Sequence, residues 1–353
     1  MPRRYWPLYA LGFLAWATAT LYLIPLAPRL LPHTQSPENS AVVAQAELKA
    51  VPSDTPLQLI VEPRDTTTPL LTAINGAIKS IDLVIYELQD PEIENALVQA
   101  HNRGVSVRVL LENLNSFGRH PNQPAYDLLA SKGVPVKWAP SYFPLVHQKT
   151  LIIDNAGAII MTFNLQPQYY ASSRDFGIID PDPTDVAAIA SAFDSDWNAS
   201  QATAQSGRDL VWSPGSSATL LALISQATST LDVYNEEMAD VRITQALEAA
   251  AQRGVAVRVV MTYATNWKPA LNELVQKGVV VRTYSSSAKF YIHAKVIIAD
   301  NDEAFVGSEN FSAQSLDQNR ELGILLTRAD IISELENTFA HDYRNARPYA
   351  VRK

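Results

Sequence analysis

A histidine, a lysine two positions on, an aspartate five beyond the lysine and an asparagine ten beyond the aspartate occur twice in this chain. They are His147, Lys149, Asp154 and Asn164 in HQKTLIIDNAGAIIMTFN, and His293, Lys295, Asp300 and Asn310 in HAKVIIADNDEAFVGSEN. Imidazole attacks or moves protons near neutral pH, and ammonium and carboxamide groups donate to anionic oxygen. A phosphodiester wants all three: its oxygens need donors, its phosphorus a nucleophile and its departing alkoxide a proton. One copy supplies a single imidazole. Two copies face to face supply one to attack phosphorus, forming a phosphohistidine, and one to protonate the leaving oxygen and then activate water. Each imidazole needs an orienting partner, and Asp175 and Glu321, each 28 residues after the histidine of its copy, are the candidates.

The elements that must position these groups repeat with them. Asp82 matches Asp232, Glu87 matches Glu237, Asp90 matches Asp240 and Arg103-Gly104 matches Arg253-Gly254, all at an offset of 150. From His147 and His293 onward the offset is 146, and it also relates Arg174 to Arg320, Phe193 to Phe339 and Asp196 to Asp342. A longer loop in the first copy, placed at NLNSFGRHPNQPA, absorbs the difference. Within each copy, runs such as IDLVIYEL and VSVRVLLE read as strands, and Asp90-Pro91 reads as a helix N-cap with proline at the first helical position. Gly104 and Gly254 read as the stops of the two corresponding helices. Strand, helix, strand implies a parallel crossover. The expected fold is α/β: two repeated modules over 57–205 and 206–353, each a mostly parallel sheet flanked by helices, related by a pseudo-two-fold axis with the site between them. In HAKVIIAD, strand geometry puts His293 and Lys295 on one face, Asp300-Asn301 makes a turn, and EAFVG returns as a second strand.

Composition limits the rest. With 353 residues, 47% hydrophobic and 18% charged, the chain is globular; with no cysteine, thiolate nucleophiles and cysteine-ligated zinc are excluded. A net charge of -8 does not favour broad capture of nucleic acid, and Arg103, Arg108, Arg119, Arg253 and Arg258 are dispersed rather than striped. Trp6 to Pro28 contains no charged residue and is long enough to cross a bilayer. An uncleaved anchor is the preferred reading of the segment 1–31, ahead of a signal peptide cut at Ala17-Thr18-Ala19 or a core helix, with 32–56 as a tether. Flanking arginines then favour a catalytic body exported beyond the membrane, or secreted if the segment is cut.

The motif H-x-K-x4-D followed by G-S-x-N stands complete as His293, Lys295, Asp300, Gly307, Ser308 and Asn310; the earlier copy has Met161 and Thr162 in place of glycine and serine. These residues resemble the phospholipase D superfamily, over both modules. The resemblance implies His147 as nucleophile and His293 as general acid, with Lys149, Lys295, Asn164 and Asn310 on phosphate oxygens. Asp175 and Glu321 would orient the histidines, Ser308 and Thr162 would contact substrate, and Asp154 and Asp300 would be structural. It implies no metal and no cofactor. The expected activity is hydrolysis of glycerophospholipid head groups by a monomer that holds both half-sites and works at a membrane. A nuclease of the same superfamily and a non-catalytic lipid- or phosphate-binding relative are the alternatives. Phe117, Phe143, Trp267, Phe290 and Tyr291 flank the motifs and are candidates for an acyl chain or base, with ordinary packing as the other reading; Glu87 and Glu237 read as structural.

Overall fold

A computed structural model describes residues 57–351. The first half runs β1 (Gln58–Glu62), α1 (Thr68–Gly76), β2 (Ser80–Ile85), α2 (Pro91–Asn102), β3 (Ser106–Leu111), α3 (Gln123–Ser131), β4 (Val136–Trp138), β5 (Thr150–Ile153), β6 (Gly157–Met161), α4 (Pro167–Tyr170), β7 (Ser173–Asp180) and α5 (Pro183–Trp197). The second runs β8 (Leu210–Ser213), α6 (Ser216–Gln226), β9 (Thr230–Tyr234), α7 (Val241–Gln252), β10 (Ala256–Thr262), α8 (Lys268–Gln276), β11 (Val280–Tyr284), β12 (Tyr291–Ile292), β13 (Val296–Ala299), β14 (Glu303–Gly307), α9 (Ala313–Asp317), β15 (Glu321–Leu326), α10 (Ala329–Asn345) and β16 (Arg347–Pro348).

The two sheets have one topology. The order β1-β7-β6-β5-β2-β3-β4 in the first is matched by β8-β15-β14-β13-β9-β10-β11 in the second, where β16 is added at the edge. The two-module α/β architecture is as expected, but the balance of strand directions differs. Only β2, β3 and β4, and likewise β9, β10 and β11, are parallel along the sheet, because helical crossovers join them. Apart from β12, which pairs with β7 in parallel, the remaining pairs are antiparallel, and tight turns at Asp154-Asn155 and Asp300-Asn301 fold β5 with β6 and β13 with β14 into hairpins.

Strand alternation explains the three cores. Ile81, Leu83 and Ile85 of β2 face an outer cluster under α1, α2 and α3, and Leu231 and Val233 of β9 do the same in the second half. Val84 and Tyr234 face the other way, into a central cluster built from both halves and filled by Val186, Ile189 and Phe193 of α5 and Ile332, Leu335 and Phe339 of α10. The two late amphipathic helices therefore belong to the central layer between the sheets. Each buried aliphatic side chain there contributes about 1.5–3 kcal/mol. The caps are those read from the sequence: the Asp90 side chain accepts from Glu92 N and Ile93 N, Asp240 does so at α7, and Gly104 and Gly254 follow their helices at φ of +92° and +95°.

Among the described residues no helix is long and apolar enough to cross a membrane, which corrects the expectation of a membrane-anchored, exported body. Trp6 to Pro28, which carried that expectation, lies outside the described residues.

Candidate active site

Extended segments lead into β5 and β13, and each is stitched to the opposite half. His147 N and Gln148 N both donate to Arg320 O at 2.9 Å, and His293 N and Ala294 N donate to Arg174 O at 3.2 and 2.9 Å. The same two arginines reach back with their side chains. Arg174 Nε donates to Asp342 at 2.6 Å and Arg320 Nε to Asp196 at 2.9 Å, each pair bidentate and buried. Phe290 lies under the Arg174 guanidinium and Phe143 under that of Arg320, so two of the flanking aromatics serve the junction. A cavity of about 800 Å³ next to Arg320, bounded by Tyr142, Phe143 and Trp212, has neither histidine in its wall.

This stitching crosses the carboxylates. His147 Nδ1 sits 2.7 Å from Glu321 Oε2, and His293 Nδ1 sits 2.8 Å from Asp175 Oδ1. The equal spacing within each copy suggested a partner from the histidine's own half; the structure supplies it from the other. A carboxylate at Nδ1 puts the hydrogen there and leaves Nε2 for chemistry. The carboxylates are themselves fixed. Ser308 and Thr162 each donate to one at 2.7 Å and accept a backbone N–H, from Leu322 and Phe176 respectively. Both hydroxyls, expected from the sequence to contact substrate, are buried and committed to Glu321 and Asp175. Threonine does here what serine does in the other copy.

Lys149 and Lys295 are fully buried, and each Nζ donates to the carbonyl of the histidine two residues before it, at 2.7 and 2.5 Å. Burial pushes the His147 imidazole down to about 4, against the pull of Glu321, and pushes the Lys149 ammonium down to about 7. The carboxamide oxygens of Asn164 and Asn310 are buried and bond to nothing else among the described residues, leaving these side chains uncommitted. Asp154 and Asp300 stand apart. They accept the N–H groups of Ile78 to Ser80 and of Thr228 to Thr230, tying each hairpin turn to the strand beside it.

Met161 fits where its counterpart is Gly307 because the neighbours change with it. A Cβ on Gly307 would lie 2.3 Å from Glu309 Oε2 and 2.6 Å from the Phe305 ring. In the first half Phe163 stands for Glu309 and Ile159 for Phe305, so the side chains around this position differ between the copies. The Glu309 carboxyl is buried without a partner among the described residues, and burial raises it well above the usual carboxylate range.

Comparing the copies for agreement misses Glu236 and Tyr86, which occupy equivalent places after β9 and β2. Glu236 Oε2 lies 3.0 Å from Lys295 Nζ and 3.5 Å from His293 Nε2. Tyr86 instead sets its ring edge-on to His147, centroids 4.6 Å apart, with Lys149 Nζ over the ring at 5.2 Å.

The family model described as cardiolipin synthase, PLD-like domain, matches residues 70–197 and again 220–343, one match for each half of this arrangement. The chain belongs to this phospholipase D-like family. Within it, the chain is 24% identical over 338 residues to a cardiolipin synthase of Listeria monocytogenes, covering 82% of this chain and 69% of that one. It is 25% identical over 344 residues to the major cardiolipin synthase of Bacillus subtilis, covering 84% and 70%. Among solved structures, phosphatidylserine synthase of Haemophilus influenzae superposes with a TM-score of 0.66 at 11% identity, over 83% of this chain and 87% of that one. Polyphosphate kinase of Porphyromonas gingivalis gives 0.62 at 14% identity over 81% of this chain, which spans 50% of that kinase. At such identities these two likenesses concern the fold.

Proposed function

We propose that this phospholipase D-like chain is a phosphatidyl transferase, cleaving a phospholipid phosphodiester through a phosphohistidine and passing the phosphatidyl group to an alcohol. The observation that carries the reading is the pair of imidazoles, each with Nδ1 held by a buried carboxylate of the opposite half and each followed by a buried lysine. His147, neutral and buried, attacks phosphorus through Nε2; the phosphorus–oxygen bond to the head group breaks as His293 gives that oxygen a proton. Lys149, Lys295, Asn164 and Asn310 donate to the phosphoryl oxygens. The acceptor alcohol then gives its proton to His293, its oxygen bonds to phosphorus, and the phosphorus–nitrogen bond to His147 breaks. Water in place of the alcohol gives hydrolysis, the activity expected from the sequence; relatives that bear the name synthase favour transfer.

The nuclease reading loses support from the arginines. Arg108 pairs with Asp82 and Asp194, Arg258 with Asp232, and Arg103 and Arg253 donate to carbonyls at the ends of α1 and α6. The test incubates the chain with phospholipid vesicles with and without added alcohol, and with labelled single- and double-stranded DNA. A lipid carrying the alcohol, lost in His293→Ala, together with an acid-labile phosphoryl adduct lost in His147→Ala, is the expected result. DNA cleavage with intact lipid would replace the reading with the nuclease.

A further inference from the structure

One buried acid takes no part in the transfer chemistry. Glu62 closes β1, and the antiparallel register of β1 with β7 sets it directly opposite Asp175, the carboxylate that holds His293 Nδ1. Directly opposite residues of an antiparallel pair share a face, with Cβ atoms about 5 Å apart. The second sheet repeats the pairing, but there the residue opposite Glu321 is Ser213, whose hydroxyl donates to Ser315 O at 2.5 Å. A carboxyl thus stands beside the partner of His293 where a serine stands beside the partner of His147.

Glu62 is fully buried; its Oε2 accepts the N–H of Thr66 at 3.0 Å, and its Oε1 has no partner among the described residues. Arg174 commits its guanidinium to Asp342 and to the backbone carbonyl of Glu62, leaving the carboxyl without a cation. The other titratable groups facing it are Asp65, which pairs with Arg64 in the turn after β1, and Tyr170 of α4, which donates to Asp90. Asp175, by contrast, is fully served: His293 and Thr162 donate to Oδ1 and Ser173 to Oδ2, the last at 2.7 Å. Of two carboxyls so close and so dry, the one with donors keeps the charge and the other keeps a proton. Burial first, and the charge of Asp175 next, push Glu62 up to about 7; in spite of burial, His293 holds Asp175 below the usual carboxylate range.

We infer that Glu62 is a positioning residue for His293: neutral while it holds its proton, it becomes on ionising a second negative charge beside Asp175 and tightens the hold on the His293 proton. The groups already around that imidazole are Asp175 at Nδ1, Glu236 at 3.5 Å from Nε2, Lys295 on the histidine carbonyl and the Tyr291 ring. As pH rises, the new charge opposes loss of the proton, so the imidazolium that protonates the leaving oxygen persists further into the alkaline range. The inference rests on the transfer reading, in which His293 carries that proton.

The experiment is a titration of the whole chain with nitrogen-15 histidine, read by NMR, in which the His293 signal is the one missing from His293→Ala. Its midpoint should fall by about one pH unit in Glu62→Gln, which keeps the neutral shape and cannot ionise. Glu62→Asp, which keeps an acid but withdraws it by one methylene, should lower it by less. A midpoint unchanged in both variants would overturn the inference and leave Glu62 as strand packing. The rates then test the role. The alkaline limb for a phospholipid should move to lower pH in Glu62→Gln, while the first-turnover burst from a p-nitrophenyl ester, whose leaving group departs without a proton, should not follow. A shifted midpoint with both substrates responding alike would overturn His293 as the proton carrier, and the positioning role with it.

Discussion

Nδ1 of His147 meets Oε2 of Glu321 at 2.7 Å across the junction of the two halves, and His293 returns the contact to Asp175 at 2.8 Å. Replacing either carboxylate by its amide keeps the shape, removes the charge and no longer fixes the tautomer. Glu321→Gln and Asp175→Asn should each lower kcat by about 10²–10⁴ with the fold intact. The two losses should differ in kind. A p-nitrophenyl ester, whose leaving group needs no proton, should restore the first-turnover burst of p-nitrophenol in Asp175→Asn and not in Glu321→Gln. The opposite pattern in the burst rates would assign the attack to His293.

Because both half-sites come from one chain, mixing inactive His147→Ala with inactive His293→Ala protein should restore nothing. Recovery of activity on mixing would mean that the site forms between chains.

The Arg174–Asp342 and Arg320–Asp196 pairs are buried, so removing one partner strands a charge. Asp342→Ala or Asp196→Ala should cost about 3–5 kcal/mol in urea unfolding. A double replacement of either pair by apolar residues of similar volume should cost less than its single partner.

The pH dependence has a definite sign. Lys149, pushed down to about 7 by burial, is charged below that pH and loses its charge above it. Log kcat/KM for the lipid should therefore fall as pH rises through about 7 in the free enzyme. In kcat the limb should move to higher pH, because bound phosphate favours the ammonium. His147, pushed down to about 4, stays neutral above that value and contributes no acid limb between pH 5 and 7. A kcat/KM profile flat from pH 6 to 8 would contradict the Lys149 assignment.

Much of this was legible in the chain itself. Matching residues at fixed offsets pointed to the two modules and the hairpin turns, and singled out the histidines and carboxylates that meet across the junction. The partner of each histidine was not legible, since an offset common to both copies is the same whether a carboxylate serves its own half or the other. Nor was the role of Ser308 and Thr162, because a hydroxyl beside a motif reads equally as donor to substrate or to a carboxylate. Strand direction misled for a related reason: strand, helix, strand at the start of each module suggests parallel pairing throughout, while β5 to β7 and β13 to β15 return as antiparallel meanders. Glu236 was in plain view opposite Tyr86. A scan for agreement between copies passes over the position where they disagree.

Duplication ordinarily frees one copy to drift. Here each copy's histidine takes its tautomer from the other copy's carboxylate, and each motif segment hangs on an arginine from across the junction. A change at Glu321 is felt at His147, and one at Asp175 at His293, so the groups that cross the junction are held to a common standard. What remains free to diverge is what does not cross: Tyr86 against Glu236, Met161 against Gly307, Phe163 against Glu309. The copies therefore differ beside the crossing groups, in a buried pair and in one ring set against one carboxylate, while every crossing contact has its counterpart.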